Sequence, residues 1–158
     1  MSKRAAIIKC LLGGFAVLLL GSQFFRPEKN LSPGGPGPDD LTVLRPPPAE
    51  VKAVLQRACY DCHSNHTRYP WYAEVQPVAW WLANHVKEGK SHFNFSTFGT
   101  YSAKRQARKL SELLDEVEEG NMPLASYKLA HAEARLTPAE IKALMDWAAA
   151  GRDHPPAQ

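Results

Sequence analysis

Cys59-Tyr60-Asp61-Cys62-His63 places two thiols three positions apart, with a histidine directly after the second. On one turn of helix that spacing lets each sulfur add across one haem vinyl group, and it holds the histidine beneath the iron as its proximal ligand. Two other chemistries use paired cysteines. A thioredoxin-like redox pair needs an alternating βαβ pattern around it, and a structural zinc site needs a second ligand pair; the chain has neither. The motif therefore predicts one covalent haem c per chain, with Cys59 and Cys62 as thioether cysteines and His63 on the iron.

Outward from the motif, apolar residues recur at helical intervals, with no strand alternation and no internal repeat. Val51, Val54, Leu55 and Ala58 share one face of a helix that begins after Pro48 and runs into Cys59. A second helix is expected from Pro77 to just before Gly89, with Val78, Trp81, Leu82, His85 and Val86 on one face. A third, from about Ser102 to Glu119, presents Ala107, Leu110, Leu113, Leu114 and Val117 and stops at Gly120. The last has a capping box, Thr137 with Glu140, and Pro138 at the first helical position. Ile141, Leu144, Met145 and Ala148 follow, with Gly151 beyond the end. The fold class expected is all-α: a helical domain over 49–152, which the resemblance given below implies is cytochrome c-like, followed by a tail over 153–158.

Upstream, Ser2, Lys3 and Arg4 precede a mostly apolar stretch from Ala5 to Phe25. At about 1.5 Å per residue it is long enough to cross a hydrocarbon core, with Lys9 snorkelling back toward the amino terminus. Neither Gly21 nor Ser22 has a small residue two positions before it, so the segment reads as an uncleaved anchor over 1–26. Lys3, Arg4 and Lys9 keep the amino terminus cytoplasmic, which places the rest of the chain on the periplasmic side of a bacterial inner membrane. From Pro27 to Pro48, seven prolines and three glycines in 22 residues read as a flexible linker.

The charge distribution excludes one partner class. Residues 49–158 carry thirteen Lys or Arg against thirteen Asp or Glu, and the net charge of +3 lies entirely in the first 48 residues. No basic nucleic-acid-binding face is available. The length, 158 residues, allows one modest domain plus appendages.

A haem iron with one protein ligand has a sixth position, and its occupant separates electron transfer from small-molecule chemistry. Met122 is the first choice for the distal ligand, because it lies in a loop after Gly120 and is stiffened by Pro123. His85, on the apolar face of the second helix, is the alternative. His131, close after Met122, is within reach of the same pocket. Trp71, Trp80 and Trp81, with Tyr69 and Tyr72, are expected to pack the macrocycle and exclude water. Glu118 and Glu119, just before the Met122 loop, suit the docking of a basic partner.

With these residues in place, the chain resembles the haem-binding domain family of small membrane-anchored c-type cytochromes, itself similar to class I cytochrome c. The resemblance rests on residues 23–30, on Cys59 to Asn65 with Tyr69-Pro70-Trp71-Tyr72, on His85 with Asn94-Phe95-Ser96, and on Met122-Pro123, Tyr127, His131 and Leu136 to Trp147. It implies haem held by Cys59, Cys62 and His63, with Met122 as the distal ligand. The expected function is a monohaem carrier of single electrons rather than an enzyme. Redox partner proteins, including a membrane respiratory complex, are the expected partners. The competing readings are a haem peroxidase or small-ligand sensor with an open sixth site and, more weakly, thiol-disulfide exchange at Cys59 and Cys62.

Overall fold

In the computed structural model, residues 3–32 and 35–153 are described; most of the expected tail, after Asp153, lies outside the described residues. The architecture is helical, and among the described residues the only β pairing is an isolated bridge between Leu31 and His66. Eight α-helices follow in order: α1 (Lys3–Ser22), α2 (Leu41–Leu44), α3 (Ala49–Ala58), α4 (Tyr60–His63), α5 (Val78–His92), α6 (Ala103–Glu118), α7 (Ala125–Ala130) and α8 (Pro138–Asp153). Short 3-10 turns occupy Trp71–Glu74, Phe95–Thr100 and Ala132–Ala134.

The expected faces of the first, third and last helices carry the buried residues, whereas on the second Leu82 and Val86 are buried but Val78 and Trp81 are exposed. Val51, Val54, Leu55 and Ala58 are buried on α3, and Leu110, Leu114 and Val117 on α6. Leu144 and Ala148 are buried on α8, which packs against both other helices. The core is completed by Phe93, Phe95 and Phe98, from the segment after α5, and by Leu41 of α2. Fully burying such a side chain contributes about 1.5–3 kcal/mol, so this cluster rather than helix propensity holds the short elements in place.

The helix ends follow local chemistry where that chemistry is strong. Ser102 caps α6 by accepting from the Arg105 amide, and Gly120 adopts φ +74° just past its end. At α8 the Thr137 amide and hydroxyl donate to the Glu140 carboxylate, and the Glu140 amide donates back to Thr137 Oγ1 at 3.3 Å.

Two glycines differ from expectation. Gly89 does not stop the second helix, which continues to His92, and Gly151 lies inside α8. A Cβ on Gly151 would come within 3.3 Å of Leu110 Cδ1, so its smallness lets α8 approach α6.

The stretch from Pro27 to Pro48 is not a free linker over its described residues. The Ser32 amide donates to Asn65 O, and the Thr67 amide to Asn30 O. Asn30 Nδ2 donates to Ser64 O at 2.8 Å and to Thr67 Oγ1 at 2.9 Å, while Lys90 Nζ donates to Asn30 Oδ1. Further on, Asp40 is fully buried and caps α2, and Leu41 enters the core. Proline and glycine content correctly excludes long helix here, but it does not report these long-range backbone and side-chain partners.

Candidate functional site

Helix α3 ends at Ala58, and the backbone breaks at Cys59, with φ −127° and ψ −44°. The motif then makes a turn of its own: the Cys62 and His63 amides both donate to Cys59 O, at 3.2 and 3.0 Å. This turn, α4, lies against α5. A Cβ on Gly89 would stand 2.6 Å from Cys62 O and 3.1 Å from Cys62 C, so only glycine permits the approach.

His63 is oriented by the strand of chain that leaves α5. Its Nδ1–H donates to Phe93 O at 2.9 Å, and its ring stacks on Phe95 at 5.4 Å. That bond fixes the tautomer and leaves Nε2 as the free lone pair. Burial also pushes the His63 pKa below its usual value, keeping the imidazole neutral near pH 7, the form that ligates a metal.

The two thiols carry no disulfide. Burial, reinforced by the neighbouring Cys62 and partly opposed by Arg57, pushes Cys59 up to about 12. Cys62 rises to about 11 for the same first reason, with Asp61 adding to it. Thiol-disulfide exchange needs a lowered thiol pKa, and this environment works the other way.

Asp61, between the cysteines and nearly fully buried, ties the motif to the rest of the domain. Its Oδ1 accepts from the Arg68 amide and Nε, both at 3.1 Å. Its Oδ2 accepts from Arg68 Nη2 at 3.0 Å and from the Tyr127 hydroxyl at 2.7 Å. Burial and the Asp61 bond raise the Tyr127 pKa, so the phenol keeps its proton and donates. Asp61→Ala is expected to lower unfolding free energy by about 2–4 kcal/mol, because it strands the tyrosine donor and the arginine together. Arg68→Ala should cost less, about 1–2 kcal/mol, since the buried carboxylate it leaves keeps the amide of residue 68 and the Tyr127 hydroxyl as donors. Denaturant midpoints of the two full-length variants, measured side by side, check the order. On the other motif position, the Tyr60 hydroxyl donates to the buried Asp40 at 2.7 Å.

Beside Cys62 opens an apolar cleft of about 260 Å³ between α5 and α7, lined by Val78, Trp81, Leu82, Leu124 and Ala130, with Tyr72 and Tyr127 at its polar points. His85 also lines it; Nδ1–H donates to Trp81 O at 2.8 Å, and the two rings lie 4.1 Å apart. Tyr72 donates to His131 Nε2 at 2.7 Å, and His131 stacks on Tyr127 at 4.2 Å, so His131 braces the wall of the cleft. A neutral, pre-oriented imidazole and two unpaired thiols on one turn are the donor set that would hold haem, and of these three residues Cys62 alone lines the apolar cleft.

The residues named from the sequence are distributed unevenly. Cys62 and His85 reach the cleft, whereas Cys59 and Met122 are half-buried against the apolar core, and the Met122 amide donates to Glu116 O at 3.0 Å. The expected tryptophan wall is corrected. Only Trp81 lines the cleft; Trp71 is 80% exposed, and the Trp80 indole N–H is bonded to Phe25 O. Asp61, Tyr127 and Gly89 were not singled out as site residues by spacing. An acidic residue inside the motif and a glycine inside a helical period were the available signals.

An all-helical domain that carries such a histidine and cysteine pair on one turn is, as a class, a haem-binding domain. A comparison with protein families agrees: the haem-binding domain family matches residues 17–150, most of the chain, and the protein belongs to that family. No curated protein and no solved structure matches it.

Proposed function

We propose that the chain is a membrane-anchored monohaem c-type cytochrome that carries single electrons between redox proteins on the periplasmic side of a bacterial inner membrane. The observation that carries this reading is His63, fixed through Nδ1 on Phe93 O, on the same turn as two unpaired, protonated thiols. Cys59 and Cys62 would hold the haem through thioethers, and His63 Nε2 would take the proximal position. Haem, once bound, supplies an iron that gains and loses one electron. Asp61, Arg68 and Tyr127 keep the motif turn rigid, and Leu82, Trp81 and Val78 exclude water from the cleft side. The 20-residue helix α1, apolar and entirely outside the core, has the length of a membrane span, and its flanking lysines and arginine favour an inside amino terminus.

Met122 is the proposed distal ligand, on the strength of its loop position before Pro123. A second reading, His85, is favoured by one observation: His85 lines the cleft beside Cys62 and Met122 does not. Ferric absorption spectra of the haem-loaded full chain, extended into the near-infrared, separate them. A low-spin spectrum whose methionine-to-iron charge-transfer band disappears in Met122→Ala establishes His63 with Met122. Retention of the native low-spin spectrum in Met122→Ala and its loss in His85→Ala assigns the position to histidine. A high-spin native spectrum with ready cyanide binding replaces the carrier reading by a peroxidase or sensor.

A further inference from the structure

Immediately after α1 the chain makes three successive tight turns, the Gln23, Phe24 and Phe25 amides donating to Leu20 O, Gly21 O and Ser22 O. Phe24 and Phe25 then stand 88% and 71% exposed. Aromatic residues so open to water in a folded chain call for a covering surface.

These turns are joined to the helical domain by a buried polar clasp. The Gln76 amide donates to Gln23 Oε1 at 3.0 Å, and Gln76 Nε2 donates to Phe25 O at 2.8 Å, with Gln76 only 2% exposed. Trp80 Nε1 donates to the same carbonyl at 2.8 Å. Glu74 pairs with both Arg26 and Lys29. Because the clasp lies within four residues of the end of α1, everything bonded to Phe25 O sits within about one helical turn of that end. Trp71 stands three positions before Glu74 in a 3-10 turn, where positions i and i+3 share one side.

We infer that Phe24, Phe25, Trp71 and Trp80 form a lipid-interface face that lays the haem domain on the bilayer in one fixed orientation. The inference rests on the reading of α1 as a membrane span. Indole rings favour the headgroup layer, which extends about 5–8 Å beyond the hydrocarbon core, and phenyl rings favour its boundary with the acyl chains. Arg26 and Lys29 are placed at the level of lipid phosphates. Helix α5 presents Trp80 to this face and Trp81, Leu82 and His85 to the cleft, so the cleft lies one helix away from the membrane. Partners then approach in the membrane plane rather than by a swing of the domain on a flexible linker.

The test uses the haem-loaded full chain in vesicles of phosphatidylcholine with phosphatidylglycerol, carrying a diazirine either at mid-acyl chain or at the headgroup, with labelled residues located by mass spectrometry. The mid-acyl probe is expected on α1. The headgroup probe is expected on Phe24, Phe25, Trp71 and Trp80, several-fold above Val43 and Leu44, exposed aliphatics of α2. Labelled α1 with the four aromatics no higher than Val43 overturns the fixed orientation alone. An unlabelled α1 overturns the span and the interface together.

Discussion

A full-length chain carrying both Cys59→Ser and Cys62→Ser is expected to retain no haem after denaturing acid extraction, whereas the native chain keeps one haem through the same treatment. The pyridine haemochrome of the extracted protein measures it. Each sulfur, if it forms a thioether, saturates one vinyl group. Either single variant should therefore keep the haem but show an absorption band shifted to longer wavelength by the vinyl group left in conjugation. The double variant should also unfold at lower denaturant, because a group bound only by the folded state stabilises it and here is lost. Unchanged extraction behaviour in the double variant would remove covalent attachment from the account and leave haem binding alone. Burial that keeps both thiols protonated slows oxidation of the pair, since exchange proceeds through thiolate.

The second large effect is expected at a residue that has no side chain. Gly89→Ala places a methyl group 2.6 Å from Cys62 O, a backbone atom that cannot rotate away. Helix α5 and the motif turn must then separate, at a cost of about 1–3 kcal/mol net of the roughly 1 kcal/mol that alanine gains over glycine in a helix. For a domain of this size, 1 kcal/mol corresponds to a fall of about 2–8 °C in Tm. Separation also pulls Phe93 O from His63 Nδ1, because the carbonyl that orients the imidazole directly follows α5. Haem loading should therefore fall with stability. Gly14→Ala, inside α1 where a Cβ meets nothing within 4 Å, is the matched control and should lower neither Tm nor haem content. A Gly89→Ala chain with native Tm would show that the two helices have slack at this contact.

Several elements of the molecule are encoded within a few residues of themselves, and these are the ones the sequence by itself determined. The faces of α3, α6 and α8, the Ser102 and Thr137 caps and the left-handed Gly120 each depend on partners three or four positions away, so spacing reports them directly. The five-residue motif names its cofactor for the same reason, since thiols and imidazole sit on one turn. Tertiary structure alone decided the rest. Gly89 reads locally as a helix stop, yet it is a contact surface for Cys62, 27 positions earlier in the chain. The proline and glycine stretch reads locally as a linker, yet Asn30, Asp40 and Leu41 are bound into the domain. Trp71 and Trp80 read as haem packing, but Trp80 bonds Phe25 O just beyond the end of α1 and Trp71 is exposed. A residue's spacing specifies which side of its own helix it occupies. What that side meets depends on which distant segment packs there, and packing is settled by the whole set of buried faces at once.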